Sequence, residues 1–327
     1  MGEESRMETP RCYPLIFNPK ARSQKGGRVL RFLTEHPNNF AVHATRHAGE
    51  ARELAARFAA QGEPVVIAAG GDGTLNEVAG GLAGSSTVLG ILPAGTMNVF
   101  ARELGIPCDS LQRAFAVIEH GFVREVDLFE ANGAPFVQMA GVGFDAAVIE
   151  NTSWKSKKRL GAAAYLLAAA RVIGQRAPRL EVRCADGRCE HGVAVIVGNG
   201  SRYAGPFRFF RNAHIRDSKL EVLVYKEAGY RLVLDSLRGL ALGGIDRLDS
   251  TCYLQTEAFT VRADCEVPVQ VDGEWLGRFT EVCFKESSSH LRVIAPEPPP
   301  AGRCAGVWQW LRMRPQRPPQ SQSLTQP

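Results

Sequence analysis

The chain has 327 residues, 45% of them hydrophobic, with a formal net charge of +5, which is enough for two ordinary domains with cores of their own. The charge is mild and spread along the chain, so it argues only weakly for an anionic partner and does not separate nucleic acid from a membrane surface; no arginine-rich run decides between them. Eight cysteines, Cys12, Cys108, Cys184, Cys189, Cys252, Cys265, Cys283 and Cys304, are scattered without the paired short spacing of a zinc site, so reduced structural thiols are expected.

Residues 1–11 are polar and lack the apolar core of a signal peptide. The most apolar segment, 160–173, is too short to span a bilayer and contains Arg171. A cytoplasmic protein is expected, with membrane contact only at its surface.

In chain order, residues 12–17 read as a strand ending at the polar turn Asn18, Pro19, Lys20, Ala21 and Arg22. A helix over 27–34, a strand over 40–45 ending at Thr45, and a helix over 49–60 with Ala51, Leu54, Ala55 and Phe58 on one face come next. The apolar run Val65, Val66, Ile67, Ala68 and Ala69 then leads into Gly70, Gly71, Asp72, Gly73, Thr74, Leu75 and Asn76. A helix over 76–83, a strand over 88–92 and a second glycine-containing loop over 93–98 follow, then helices over 99–104 and 111–120. Short apolar strands alternating with helices predict a mainly parallel sheet covered on both faces, its loops meeting at the carboxyl ends of the strands.

Beyond Val123 the pattern becomes a series of short strands separated by turns, at 129–130, 136–140, 180–183, 192–197, 220–225, 252–255, 258–262, 267–271, 279–284 and 291–294. This half is expected to be mostly antiparallel, interrupted by helices over 160–172 and 230–242. The domains so predicted are a 1–11 extension, an α/β domain over 12–127, a β-rich domain over 128–295, and a tail over 296–327 whose proline, glutamine and serine content predicts disorder.

The glycine run is a phosphate cradle in its chemistry, since glycine lets backbone approach a ligand and the following helix offers unpaired N–H groups and the positive end of its dipole. It lacks the Gly-Lys-Ser/Thr ending of a P-loop, and Asn76 stands where a dinucleotide fingerprint needs Gly or Ala. Asp72 would repel a phosphate unless a cation lay between them, which favours a divalent metal with a nucleoside triphosphate. Any one such loop alone reads better as a solvated turn. The loops at 18–22, 45, 70–76 and 96 would line one crevice if the sheet order is as predicted. A second glycine signal, Gly141-Val142-Gly143, has no acidic residue about twenty positions on, and close backbone packing explains it better.

Asn18-Pro19, the 70–77 run ending in Glu77, Leu92-Pro93-Ala94-Gly95-Thr96-Met97-Asn98 with Ala101-Arg102, Gly141 to Asp145, and Val271-Asp272-Gly273-Glu274 occur in this order. Together, over 12–294, they resemble the diacylglycerol kinase catalytic family, in particular the soluble bacterial lipid kinases. NAD kinases share the Gly-Gly-Asp-Gly-Thr loop; the loop at 92–98 favours lipid kinase. The resemblance implies a Rossmann-like α/β N-terminal domain of NAD kinase/diacylglycerol kinase type with a C-terminal β-sandwich.

It also implies that Asn18, Pro19, Lys20, Ala21, Arg22, Thr45, Gly70 through Asn76, and Thr96 hold ATP. Glu274 is similar to the family's general base, which takes the proton of a lipid hydroxyl; Asp72 and Asp272 complete the candidate catalytic set. From the residues alone, Asp272-Gly273 is a hairpin turn with an exposed carboxylate beside it. An alcohol nonetheless needs a carboxylate nearby and metal on the phosphates if it is to attack ATP. A structural Mg2+ is implied at His214, Asp217 and Lys219, the first and last through backbone carbonyls. Two departures stand out: Ser218 for the usual Gly, and Val99 where many relatives carry Asp, leaving Asp127 to contribute.

The expectation is an ATP- and Mg2+-dependent lipid kinase acting on diacylglycerol. Alternatives are another lipid alcohol, such as a sphingoid base or phosphatidylglycerol, then NAD kinase, then a non-catalytic lipid- or nucleotide-binding regulator. The expected partners are a lipid substrate and, peripherally, the membrane surface, with no nucleic acid; a homodimer is left open. For the membrane, the cations of 154–159 ahead of the apolar stretch, and the basic-aromatic cluster at 202–211, are candidate contacts; solvated lysines and a core-packed strand edge are the plainer readings of each.

Overall fold

A single sheet runs through both halves of the chain. In the computed structural model the described residues are 12–19, 26–151, 176–205, 207–242 and 248–297. The N-terminal half alternates as expected: β1 (Tyr13–Phe17), α1 (Gly26–Glu35), β2 (Phe40–Ala44), α2 (Glu50–Ala60), β3 (Val65–Gly70), α3 (Asp72–Leu82), β4 (Val88–Pro93), α4 (Val99–Glu103) and α5 (Leu111–His120). Strands β1, β3 and β4 are buried along their whole length, which is why their sequences are continuous apolar runs rather than alternating ones. The parallel order is β4-β3-β1-β2. The direction of winding reverses between β1 and β3, the switch point at which such sheets bind ligands beyond the carboxyl ends of the strands.

Strands of the second half are β5 (Phe122–Ala131), β6 (Ala134–Phe136), β7 (Met139–Val142), β8 (Leu180–Cys184), β9 (Cys189–Gly192), β10 (Ala194–Gly198), β11 (Arg202–Ala204), β12 (Phe207–Arg208), β13 (Leu220–Tyr225), β14 (Thr251–Thr256), β15 (Ala258–Val271) and β16 (Glu274–Ala295). Helices α6 (Phe144–Asn151) and α7 (Tyr230–Leu242) accompany them. Pairing is antiparallel through β14-β13-β10-β7-β15-β16.

Two corrections concern length. The strands expected at 258–262 and 267–271 are one strand, β15, with a register shift between Arg262 and Val267. Those expected at 279–284 and 291–294 are likewise one, the 22-residue β16, whose pairing with β5 is interrupted between Glu286 and His290. A bulge keeps a strand continuous while breaking the two-residue alternation from which strands are read.

β16 joins the two halves. Near its start it pairs with β15, and near its end Val293 pairs in parallel with Leu89 of β4. Residue 127 lies inside β5, so the chain passes between the halves within a strand. Two cores flank the join. One, with Ile16, Ile67, Leu89 and Phe115, lies under the helices of the parallel half; the other, with Phe129, Val195, Val269 and Phe284, fills the antiparallel half. Each fully buried side chain of this kind contributes about 1.5–3 kcal/mol. The basic stretch at 154–159, the apolar stretch at 160–173 and the tail from 298 lie outside the described residues.

Candidate active site

The four strand ends expected to converge leave the parallel sheet at one level. Phe17 pairs with Ala44 and with Ala69, and Gly70 pairs with Pro93. Asn18 follows β1 half-buried, and Thr45 follows β2 buried, its N–H donating to the Phe17 carbonyl at 2.9 Å. Thr96 is exposed on the loop after β4, and Pro19 is exposed after Asn18. Lys20, Ala21 and Arg22 lie outside the described residues.

Helix α3 starts earlier than the sequence pattern suggested, at Asp72 rather than Asn76. Asp72, Gly73 and Thr74 therefore form its first turn, with Gly71 capping it in an extended conformation. The amides of the run are thus those of a helix N-terminus, where an anion is favoured. The two glycine loops pack backbone against backbone. A Cβ on Gly95 would lie 2.5 Å from the Gly71 Cα and 2.6 Å from Asn98 Oδ1, so nothing larger than glycine fits. Asn98, fully buried and left-handed at φ 47°, closes the second loop on itself. Its Oδ1 accepts from Gly95 N at 2.8 Å and its Nδ2 donates to the Gly95 carbonyl at 2.9 Å.

Asp72 is turned toward this second loop. Its Oδ1 accepts from the Val99 amide at 2.6 Å, at the start of α4. Burial pushes the carboxyl above its ordinary value, against the backbone donors of Val99, Phe100 and Asn98. Val99 thus meets Asp72 through its backbone, although it brings no carboxylate of its own.

From the opposite half comes the hairpin between β15 and β16. Val271 pairs with Glu274, and both residues between them take positive φ, 47° at Asp272 and 83° at Gly273, the two-residue turn that Asp-Gly favours. The Asp272 carboxylate faces inward. Oδ2 accepts from Val137 N at 2.8 Å, and Oδ1 from Gln138 N and Met139 N at 2.9 Å each. Burial and the neighbouring Asp72 raise its pKa to about 6 despite those three donors. With its oxygens engaged by backbone, Asp272 fixes the turn that carries Glu274. Glu274 is exposed and reaches the glycine run: a Cβ on Gly73 would lie 3.3 Å from its Oε1.

The turn is braced from behind as well. Gly273 N donates to Gln270 Oε1 at 2.8 Å, and Gln270 Nε2 donates to Asp145 Oδ2 at 2.8 Å; Tyr203 OH donates to the other Asp145 oxygen. Burial raises the Asp145 carboxyl. This explains Gly141, where a Cβ would meet Asp145 Oδ2 at 2.5 Å. The glycine of that motif makes room for a buried polar side chain rather than for a nucleotide.

His214, Asp217 and Lys219 lie between β12 and β13. Arg216 N donates to the His214 carbonyl at 2.7 Å and Lys219 N to Asp217 Oδ1 at 3.2 Å. Ser218 holds a left-handed φ of 55°, the conformation a glycine would take most easily. Its N–H donates to Asp127 Oδ2 at 2.7 Å and its Oγ to Glu286 Oε1 at 3.0 Å. Asp127, Glu286 and His290 bring their ligand atoms within 4.8 Å of one another, a set of a kind that can hold a divalent ion. Glu286 and His290 were not singled out from sequence, because they flank the register shift of β16 and belong to no motif.

Residues 13–131 match the diacylglycerol kinase catalytic domain, and residues 138–295 the YegS C-terminal NAD kinase beta sandwich-like domain. The chain belongs to this family of lipid kinases and is a kinase of the α/β plus β-sandwich architecture that the two domains define. It is 28% identical over 298 residues to a diacylglycerol kinase of Bacillus subtilis (strain 168), covering 86% of this chain and 96% of that one. It is 34% identical over 302 residues to a Pseudomonas aeruginosa (strain PAO1) protein named "Probable lipid kinase YegS-like", covering 89% and 96%. A crystal structure of a diacylglycerol kinase from Bacillus anthracis str. Sterne, 27% identical, superposes with a TM-score of 0.68 over 87% of this chain and 97% of that one. Among the described residues no helix is long and apolar enough to cross a membrane.

Proposed function

We propose that this kinase moves the γ-phosphate of ATP, with Mg2+, onto the hydroxyl of a lipid alcohol, diacylglycerol in the first instance. The observation that carries the reading is the placement of Glu274 Oε1 against Gly73, at the N-terminus of α3. A carboxylate for the acceptor hydroxyl and amides for the phosphates are then within one cleft. The loops after β3 and β4 fit a nucleotide, since Gly71 and Gly95 let their backbones meet without side chains between them.

Asp72 fits a cation: burial raises its proton affinity, its charge adds to the raised proton affinity of Asp272, and a positive ion between phosphate and Asp72 would relieve that cost. When bound, the magnesium neutralises charge on the phosphates. Glu274 orients the acceptor hydroxyl and accepts its proton as the oxygen bonds to the γ-phosphorus. The phosphorus–oxygen bond to the β-phosphate breaks, and ADP leaves with the electron pair. Asp272 holds the Glu274 turn through three amides while this happens.

A lipid acceptor is supported by the apolar rim. Trp275, next to Glu274, is 51% exposed, and Met97, next to Thr96, is 44% exposed; exposed groups of this kind suit acyl chains or an interface. The protein would meet the membrane peripherally, at its surface. The test is purified protein with labelled ATP, Mg2+ and mixed micelles of diacylglycerol, a sphingoid base or phosphatidylglycerol, with NAD as a separate acceptor. Labelled phosphatidate is the expected product. Label in NAD and in no lipid would refute the reading. Glu274→Gln should lower kcat by about 10²–10⁴-fold, and unchanged turnover would remove Glu274 from the role of base.

A further inference from the structure

Helix α4 is tied at both ends to groups that matter in the cleft. Its first residue, Val99, donates its amide to Asp72 in the glycine run. Its last, Glu103, reaches across to the antiparallel half with a side chain only 12% exposed. Glu103 Oε1 accepts from Ser201 Oγ at 2.9 Å, and Oε2 accepts from the Arg202 amide at 3.0 Å and from Gln138 Nε2 at 3.3 Å. The Arg202 guanidinium Nε lies 3.9 Å from the same oxygen.

Gln138 continues the path. It is 3% exposed, its Nε2 also donates to the Arg202 carbonyl at 2.9 Å, and its own amide donates to Asp272 Oδ1 at 2.9 Å. Asp272 in turn opens the turn that carries Glu274. A continuous path therefore runs from Asp72 through α4, Glu103, Gln138 and Asp272 to Glu274, and Glu274 closes it on Gly73.

Burying a carboxylate is costly unless its oxygens are fully used, and Glu103 uses both. An apolar contact could have joined the halves more cheaply. What charge-assisted hydrogen bonds add is fixed geometry, between the loop that bears Thr96 and the turn that bears Glu274. We propose that Glu103 is a positioning residue for phosphoryl transfer, setting the distance between the donor loops and the acceptor-side carboxylate. The inference rests on the kinase reading given above. Displacement of reacting groups by about 1 Å can cost of the order of 100-fold in rate.

The test compares Glu103→Gln, Glu103→Ala and Ser201→Ala with wild type for lipid phosphorylation, nucleotide binding by a fluorescent ATP analogue, and thermal melting. Glu103→Ala should lower kcat by roughly 10–100-fold and leave nucleotide affinity within about twofold. Glu103→Gln, which keeps shape and one acceptor oxygen, should recover part of the loss, and Ser201→Ala should show a smaller loss of the same kind. Glu103→Ala combined with Gln138→Ala should cost little more than the worse single change, because both lie on one path. A lowered melting temperature with kcat per folded molecule unchanged would overturn the proposal. So would kcat and nucleotide affinity falling in proportion, the mark of a damaged donor loop. If Glu103→Ala does not fold, Glu103→Gln and Ser201→Ala decide: wild-type kcat in both overturns it. Wild type unable to phosphorylate any lipid would refute the kinase reading itself and this inference with it, whereas active wild type with indifferent variants refutes only the inference.

Discussion

Glu274 Oε1 and Gly73 face one another across the cleft, with room between them for less than a methyl group: a Cβ on Gly73 would lie 3.3 Å from that oxygen. Gly73 is in the first turn of α3, so alanine there gains helix propensity, by up to about 1 kcal/mol. The same methyl group crowds the carboxylate and the space in front of the helix amides. Gly73→Ala is therefore expected to melt no lower than wild type while losing about tenfold or more in kcat, 1.4 kcal/mol corresponding to each factor of ten. Thermal melts and turnover measured on one preparation check both signs together.

Gly95→Ala should behave differently. Its Cβ would fall 2.5 Å from the Gly71 Cα, and backbone cannot move aside as a side chain can. One or both glycine loops must shift, at a cost of about 1–3 kcal/mol, and the proposed phosphate site shifts with them. Lowered melting temperature together with weakened nucleotide binding is the expected pair; calorimetric titration with a non-hydrolysable ATP analogue measures the second. Retained affinity would show that the loop contact is not needed to shape the phosphate site.

The cleft was legible in sequence where chemistry and local geometry coincide. Asp272-Gly273 is a hairpin turn because both residues must take positive φ, and the two glycine loops announce themselves because only glycine permits their approach. The strand pattern predicted a parallel sheet, and its register brought the four strand ends to one level. Glu103 and Gln138 were not legible. Each is an ordinary residue in its own element, and their importance arises from a contact between positions 35 apart in the chain. The continuity of β16 was hidden for a related reason, since the residues from Glu286 to His290 break the alternation by which strands are recognised.

Asp272 gives a pH dependence whose sign can be worked out. Its pKa rises from 3.8 to about 6 on folding, through burial first and the nearby Asp72 last. Between those values the folded protein keeps a proton that the unfolded chain has released. Stability from this group is thus greatest below about pH 4 and falls as pH rises toward 6, by an amount of the order of 2–3 kcal/mol. Urea denaturation in metal-free buffer across that range measures the slope. Asp272→Asn should abolish this part of it and should itself destabilise by about 1–3 kcal/mol, because one amide oxygen replaces two carboxylate oxygens before three N–H donors. An unchanged slope in Asp272→Asn would assign the pH dependence elsewhere.

The carboxylates of Asp127 and Glu286 are joined through Ser218, and with His290 they form a compact set of oxygen and imidazole ligands. Asp127 is buried, so removing its charge repulsion from Glu286 is worth more than it would be at the surface. A divalent cation is expected to raise the melting temperature, stabilising by about 2.7 kcal/mol when present at 100 times its dissociation constant. Mn2+ should be more effective than Mg2+, because an imidazole is among the ligands. Glu286→Gln and His290→Ala are expected to remove most of that increment while leaving the melting temperature in chelator close to that of wild type, since both residues are at least partly exposed. Asp127→Asn should lower stability even in chelator, because the Ser218 amide loses its charged acceptor. If the increment survives in Glu286→Gln and His290→Ala, the stabilising ion binds elsewhere, and titration of the same variants in the presence of ATP then shows whether it is the ion proposed for the cleft at Asp72.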